Sequence, residues 1–349
     1  MPGVTTSQRA SSAPKLSVAW ERDVGDHAID IAYSPDGRLL AAAAIGGPIS
    51  LFDALSGEIR SVLPGHDGGT FALSWRADSR RLASGGQDGT LRIWDIADGG
   101  SPVVCDAGAA WVEHVAYSPA GDFVVSTAGR KLRLWNSHGE LLQIYPDHPS
   151  TISDVQWQPG ERLVTSVCYG QVATFRTDSP QALKAFTWKG SILTLAWSPD
   201  GNYIATGNQD ASVHFWYRKT GKDLEMSGYP VKVRELAWDS SSQYLATGGG
   251  AMVTIWDCAG KGPAGTKPIQ LDGHELPLTA LAYQPKGRFL VSGCRAGKIR
   301  LWNPAKSRKL IRTSELAGEI TRLEWASDGR SFAASSSQGA VRVFRPAAE

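Results

Sequence analysis

The sequence lacks most of the features that mark membrane, secreted and zinc-binding proteins. Its 349 residues include only four cysteines, none in a Cys-x-x-Cys pair, so neither a zinc site nor a disulfide framework is expected. No run of 18 apolar residues is present, which argues against a transmembrane helix. Residues 1–15 contain no apolar core segment, so no secretory signal is predicted. The expectation is a reduced, cytoplasmic protein.

The sequence also has no strong excess of one charge. Thirty-six Lys and Arg residues stand against 34 Asp and Glu residues, a formal net charge of +2. A balance this close to zero argues against a protein that attracts polyanions over its whole surface. Because 42% of the residues are hydrophobic and only 20% are charged, the chain is nevertheless able to bury a core.

Tryptophan and turn-forming residues, by contrast, are abundant: 13 Trp, 38 Gly and 19 Pro. One phrase recurs, in which an apolar segment ends in an aromatic residue and a turn like Ser-Pro-Asp-Gly follows. Eight copies occur at spacings of 40 to 45 residues, which indicates a repeat architecture. The first aromatics are Tyr33, Trp75, Tyr117, Trp157, Trp197, Trp238, Tyr283 and Trp325. Second aromatics follow 18 or 19 residues later at Phe52, Trp94, Trp135, Phe175, Trp216, Trp256, Trp302 and Phe344.

Each copy has the pattern of short β-strands. Residues 71–75 and 81–86 alternate apolar with small or polar side chains at period two, as strands with one buried face do. Pro and Gly in the intervening turns supply the restricted and the positive φ angles that tight turns need. No segment sustains a 3.6-residue period, so an all-β protein is predicted.

The most complete copy spans residues 65–95 and contains Gly65-His66, Gly-Gly-Gln-Asp-Gly-Thr and Trp94-Asp95. With these motifs the sequence resembles the WD40-repeat family over residues 16–346. The resemblance implies a β-propeller of four-stranded blades, and eight copies predict eight blades. The last copy ends at Phe344, too near the C-terminus for a fourth strand, so residues 16–24 are predicted to complete the last blade. The predicted organisation is a flexible N-terminal tail, 1–15, and one propeller domain, 16–349.

The resemblance also implies a structural hydrogen-bond relay of His, Ser or Thr, Asp and Trp inside a blade. Only the second repeat carries all four, at His66, Ser84, Asp88 and Trp94. A catalytic pair of His66 and Asp88 is the alternative, but the repeat position already accounts for both residues. Three other repeats carry partial relays. Repeat five has Thr206, Asp210 and Trp216, with Trp188 at the His position, and repeat seven has His274, Ser292 and Trp302, with Ala296 at the Asp position. Repeat four has only His148 and Thr165.

Enzymes with a propeller fold place their reactive groups at the mouth of the central channel, near the starts of the innermost strands. We expect no ring of carboxylates or histidines there, and therefore no catalytic residue, cofactor or metal, and no enzyme. The residues at these positions are Phe71, Glu113, Ser153, Leu193, Arg234, Thr279 and Thr321.

The predicted function is a non-catalytic scaffold, monomeric, that binds a protein or peptide on the turns of a rigid propeller. Trp111 is not explained by the repeat and, with Phe71 in the neighbouring blade, is a candidate partner contact. The alternative is that Trp111 fills a gap beside the third repeat. Two other functions stay open: an enzyme or metal-binding protein acting at the central channel, and a nucleic-acid-associated propeller.

A second candidate surface is basic. Residues 257–312 contain 11 Lys and Arg against 3 Asp and Glu, a net charge of +8 within a nearly neutral chain. We expect seven of these cations on one face, where they would attract an acidic protein segment or, alternatively, form only a solvated surface. These residues are Lys261, Lys267, Lys286, Arg288, Lys306, Arg308 and Lys309.

Overall fold

A computed structural model describes residues 13–346 of the chain. All regular secondary structure within these residues is β-strand, which confirms the all-β prediction. Residues 13–346 accordingly contain no helix long and apolar enough to cross a membrane. Most of the predicted N-terminal tail, residues 1–12, lies outside the described residues.

Residues 13–346 contain thirty strands. The first thirteen are Ser17–Asp23 (β1), Ala28–Tyr33 (β2), Leu39–Ala44 (β3), Ile49–Asp53 (β4), Ile59–Leu63 (β5), Thr70–Trp75 (β6), Arg81–Gly86 (β7), Thr90–Asp95 (β8), Val103–Asp106 (β9), Val112–Tyr117 (β10), Phe123–Ala128 (β11), Lys131–Asn136 (β12) and Leu141–Ile144 (β13). The next six are Ile152–Trp157 (β14), Leu163–Arg176 (β15), Ala182–Trp197 (β16), Tyr203–Asn208 (β17), Val213–Tyr217 (β18) and Asp223–Met226 (β19). The last eleven are Leu236–Trp238 (β20), Tyr244–Thr247 (β21), Val253–Asp257 (β22), Ile269–Leu271 (β23), Leu278–Tyr283 (β24), Leu290–Cys294 (β25), Lys298–Asn303 (β26), Ser307–Glu315 (β27), Ile320–Trp325 (β28), Phe332–Ser336 (β29) and Ala340–Arg345 (β30).

The prediction of eight blades is wrong, because the strands form seven sheets and the propeller is seven-bladed. Six sheets have four strands each. The fourth and fifth repeats share one six-stranded sheet, in the order β14-β15-β16-β17-β18-β19.

Two long strands cause this merger. Within β15 the hydroxyls of Thr165 and Thr174 are 2.9 Å apart, so this strand folds back on itself and supplies two strands of repeat four. The strand β16 continues from the outer strand of repeat four into the inner strand of repeat five. Tyr169 pairs with Ser191 across these strands, so backbone pairing persists where the other repeats have a loop.

The N-terminal strand closes the ring, as predicted. Strand β1 pairs antiparallel with β30 and thereby becomes the outer strand of the last blade, in the order β1-β30-β29-β28. Just before it, the Leu16 amide donates to the Thr313 carbonyl at 2.9 Å. The Trp20 indole N–H donates to the Ala54 carbonyl at 3.0 Å, and its ring packs on Phe52. One segment therefore links the seventh, the last and the first repeats.

The aromatic residue at the end of an inner strand packs between neighbouring repeats. Four of these tryptophans donate their indole N–H to a backbone carbonyl of the preceding inner strand, which satisfies a buried donor while the ring fills the space between blades. One apolar cluster shows this arrangement, since Leu73 and Trp75 of repeat two pack with Ala41 and Leu51 of repeat one. The four pairs are Trp75 with Ala32, Trp157 with Ala116, Trp238 with Ala196 and Trp325 with Ala282.

Candidate functional site

A β-bulge occurs near the start of nearly every inner strand. In β10, for example, the pairing passes from Val112 opposite Ala128 to His114 opposite Thr127, which leaves Glu113 as an extra residue. The same shift recurs in β2, β6, β14, β16, β24 and β28. A bulge places two successive residues opposite one, so two side chains per strand reach the channel instead of one.

The bulges bring to the channel polar residues that the sequence pattern does not reveal. Simple alternation selects Glu113 and Ser153 as channel residues, but their neighbours His114 and Asp154 line the same space. Carboxylates and a histidine therefore also lie at the channel, at positions other than those predicted from the sequence. Among residues 13–346, no three His, Cys, Asp or Glu side chains are grouped so that they could hold a metal ion. The additional channel residues are Asp30, His114, Asp154, Glu235 and Arg322.

Two adjoining cavities open where the inner strands begin. The first has a volume of about 700 Å³ and its wall includes Phe71, Glu113 and Tyr169. The second, about 770 Å³, lies toward repeats six and seven. The two cavities share His114, Ser153, Asp154, Leu193, Arg234 and Arg322, so they are halves of one axial space.

A charged cluster lies in the channel where the first and last repeats meet. The Arg322 Nε atom is 3.0 Å from the Asp30 carboxylate, whose other oxygen accepts the Leu73 amide at 2.9 Å. Glu324 accepts the Tyr33 amide at 3.3 Å. Burial, together with the nearby Asp30 charge, raises the pKa of Glu324 to about 8. This carboxyl group therefore holds its proton near neutral pH.

Several residues predicted to lie at the channel mouth form hydrogen bonds between neighbouring inner strands. The hydroxyls of Ser153, Thr279 and Thr321 donate at 2.6 Å to the carbonyls of Ile192, Ile320 and Ala28, each in the following inner strand. Asp154 likewise accepts hydrogen bonds from the Leu195 amide at 2.9 Å and the Thr194 hydroxyl at 3.0 Å. These polar groups are occupied by the fold itself.

The structure brings Trp111 and Phe71 together beside the first cavity. Their ring centroids are 5.5 Å apart with an interplanar angle of 40°. Trp111 directly precedes β10 and is 51% exposed, so it does not fill a gap in the core. Phe71 follows the first residue of β6 and forms part of the cavity wall. An exposed tryptophan packed on a half-buried aromatic ring at the edge of a cavity is typical of a partner-binding surface.

The four relay residues of repeat two also lie together. His66 is 2.9 Å from the Asp88 carboxylate through Nδ1 and 2.8 Å from the Ser84 hydroxyl through Nε2. The Trp94 indole N–H donates to the same hydroxyl at 2.9 Å. Ser84 is fully buried, so its oxygen is not accessible to a substrate despite the serine–histidine–aspartate geometry. Burial lowers the pKa of His66. Burial opposes ionisation of Asp88, but hydrogen bonds from Thr90 and His66 outweigh it and hold its pKa at about 2.

The incomplete relays differ from their predicted form. In repeat four His148 bonds Ser166 at 2.7 Å, so Thr165 was the wrong partner. In repeat seven His274 bonds Ser292 at 2.7 Å, and burial lowers the pKa of His274 to about 3. Because Ala296 replaces the aspartate, the buried Nδ1 atom of His274 has no hydrogen-bond partner among the described residues.

Repeat six contains a relay that the sequence pattern did not reveal. The Tyr229 hydroxyl accepts the Trp256 indole N–H at 2.8 Å and lies 2.8 Å from the Thr247 hydroxyl. Tyr229 precedes Thr247 by 18 residues, as His66 precedes Ser84. That spacing is the signal that could have identified it.

The seven predicted cations lie on the face opposite Trp111. Lys286 and Arg288 belong to the β24–β25 turn, Lys306 to the β26–β27 turn, and Arg308 and Lys309 to the start of β27. Lys261 and Lys267 belong to the β22–β23 loop. All seven are exposed. Because successive strands alternate in direction, these connections share the face at which the inner strands end.

Comparisons with known proteins agree with this fold. The family model described as "WD domain, G-beta repeat" matches residues 57–95, 102–136, 182–217, 223–257 and 265–303, together just over half of the chain. The crystal structure of the computationally designed Ika8 protein superposes with a TM-score of 0.81 at 23% identity, covering 95% of this chain and 99% of that one.

Similar natural proteins are much longer or only distantly related. Telomerase protein component 1 of Rattus norvegicus is 23% identical over 79% of this chain, which spans only 11% of that protein. The cell division cycle 20.1 protein of Arabidopsis thaliana, a cofactor of the APC complex, is 22% identical over 85% of this chain and 66% of its own length. Fold, repeats and family match together show that the chain belongs to the WD40-repeat family of β-propellers, a family of protein-interaction scaffolds.

Proposed function

We propose that the protein is a cytoplasmic, monomeric scaffold without catalytic activity that docks a protein partner over the channel mouth. The observation that carries this proposal is the half-exposed Trp111 ring packed on Phe71 at the edge of a cavity of about 700 Å³. Burying such a pair against a partner removes a large apolar area from water. The rigid ring of sheets holds the two rings in place before the partner arrives, which limits the entropy lost on binding.

The test compares two exposed apolar residues on opposite faces. Trp111→Ala removes the proposed anchor, while Leu55→Ala removes a 74% exposed side chain from a turn on the other face. Tagged full-length protein is used to capture partners from an extract of the native host, and recovery is measured by quantitative mass spectrometry. We expect at least a tenfold loss of partner with Trp111→Ala and no loss with Leu55→Ala, at equal melting temperatures. Equal recovery by both variants would remove Trp111 from the binding surface.

The basic face supports a second proposed contact, with an acidic protein segment. Its carrying observation is the local net charge of +8 over residues 257–312, with the seven exposed cations on one face. Such a field accelerates encounter with an acidic partner and is weakened by salt.

A peptide of ten glutamates is a suitable probe for this face, and a DNA duplex tests the nucleic-acid alternative in the same assay. The double variant Arg308→Glu/Lys309→Glu should slow peptide association and flatten its dependence on salt. Lys189→Glu, on the other face, serves as the control. If the double variant associates at the wild-type rate at every salt concentration, the basic face is only a solvated surface. Preferential binding of DNA over the peptide would favour the nucleic-acid alternative.

A further inference from the structure

The first cavity holds two charged side chains that the fold does not use. Of its charged wall residues, Asp30 and Arg322 pair with each other at 3.0 Å. Asp154 accepts hydrogen bonds from the amides of Val155 and Leu195. This leaves Glu113 and Arg234, whose side chains are exposed and have neither an ion pair nor a hydrogen bond with any described residue.

These two unused charges are on different sides of the cavity. Glu113 belongs to β10, the strand that directly follows Trp111. Arg234 lies just before β20. Around the channel, the inner strand β14 and the end of β16 separate the two positions, since β10 packs on β14, β14 on β16 and β16 on β20. One cavity therefore has a negative wall and a positive wall.

The residues around each charge strengthen this polarity. The negative wall also carries the aromatic pair, and a cation can lie over an aromatic face while it pairs with a carboxylate. Beside the positive wall, the exposed Lys232 lines the adjoining cavity. Of the acidic residues near Lys232, Glu319 is 3.8 Å from Arg295, and burial raises the pKa of Glu235, which disfavours its negative charge.

We infer that the channel mouth selects an extended protein segment with a basic side chain at one end and an acidic side chain at the other. The basic side chain docks against Phe71, Trp111 and Glu113, and the acidic side chain docks against Arg234. This inference rests on the proposed docking of a partner at the mouth and adds the partner's chemistry and its direction of binding. A segment of uniform charge meets one unfavourable wall whichever way it enters.

A phage-displayed library of random 12-residue peptides tests the inference on the full chain. Peptides enriched on the wild-type protein should share one Lys or Arg and one Asp or Glu separated by several residues. Glu113→Gln should lower the enrichment of the basic position about tenfold and leave the acidic preference. Arg234→Gln should do the reverse. Two matched variants far from the mouth, Glu225→Gln on an outer strand and Arg80→Gln in the β6–β7 turn of the opposite face, should keep both preferences.

Synthetic peptides from the selection then separate the two contacts. For one enriched peptide, replacing its basic residue by Ala should weaken binding to the wild-type protein but not to the Glu113→Gln variant. Such non-additive effects would show that the basic residue of the peptide interacts directly with Glu113. If binding depends on Trp111 but shows no such coupling to Glu113 or Arg234, the charge selection is wrong and the docking site stands. If no enriched peptide depends on Trp111, both the docking site and the inference fail.

Discussion

Single residues that are chemically alike have unequal importance in this fold, as the histidines show. His66 has partners at both ring nitrogens, the Ser84 hydroxyl and the Asp88 carboxylate. His138 is exposed in a turn, and its backbone amide bonds the side chain of Asn136. Removing a buried side chain that joins two other polar groups takes one hydrogen bond from each of them, whereas removing an exposed side chain takes none from the core.

We therefore expect His66→Ala to lower the free energy of unfolding by about 1–3 kcal/mol, because Asp88 and Ser84 lose their shared partner. His138→Ala should stay within about 0.5 kcal/mol of the wild type, as surface changes generally do. Urea denaturation followed by tryptophan fluorescence measures both. A His66→Ala variant of wild-type stability that had lost partner binding would show that the relay has a functional rather than a structural role.

The relay residues also show what the sequence can reveal at this scale. The spacing of 18 residues between the first two relay groups is constant, so His66 and Ser84 could be assigned from the sequence. Tyr229 lies at the same 18-residue distance from Thr247, but a search for histidine at this position does not find it. In repeat four the same spacing, counted from His148, gives Ser166, the residue that His148 bonds, in place of the predicted Thr165.

At the scale of strands, the turns and aromatic positions predicted the repeats well, but pairing between strands was harder to foresee. The bulge that turns Glu113 and His114 toward the same channel shows in the sequence only as an interval of three residues between the buried Val112 and Val115, where strict alternation would give two. The merger of repeats four and five depends on backbone pairing of Tyr169 with Ser191. Backbone hydrogen bonds form whatever the side chains are, so counting side-chain motifs could not give the number of blades.

The strand β1 gives a prediction at the same scale. Deleting residues 1–25 should lower the melting temperature by several degrees, because β30 loses its pairing partner and Trp20 no longer packs on Phe52. Deleting residues 1–12 alone should leave the melting temperature unchanged, since that segment is polar and carries no aromatic residue. Differential scanning calorimetry of the two truncations distinguishes them. Equal melting temperatures would mean that closure by β1 does not stabilise the ring.

For the whole molecule, the two candidate surfaces lie on opposite faces of one rigid ring. The aromatic pair and the two channel cavities are where the inner strands begin, and the seven cations are where those strands end. Partners on the two faces would not compete for space. A scaffold with this arrangement can hold two proteins at once, and the proposed peptide and polyglutamate probes should bind together without displacing each other.

The ring as a whole should also respond to pH through the carboxyl group at its seam. Glu324 lies where the last inner strand meets the first, close to the Asp30–Arg322 pair, and accepts the Tyr33 amide. Its pKa is about 8 in the folded protein against a usual value of 4.5, chiefly because of burial. The folded state thus binds a proton that the unfolded chain releases. The stability that this proton provides is complete below pH 4.5 and is lost as the pH rises through 8.

We expect the free energy of unfolding to fall between pH 5 and 8 by at most about 1.4 kcal/mol per pH unit from this group. Glu324→Gln keeps an acceptor for Tyr33 but has no proton to release, so the difference in stability between variant and wild type should grow over this range. Taking the difference cancels the opposite trend of the buried histidines, whose lowered pKa values reduce stability as the pH falls. Glu225→Gln is the exposed control, measured by chemical denaturation in the same buffers. A constant difference between Glu324→Gln and the wild type from pH 5 to 8 would show that Glu324 is ionised throughout and that the charge of Arg322 outweighs the effect of burial.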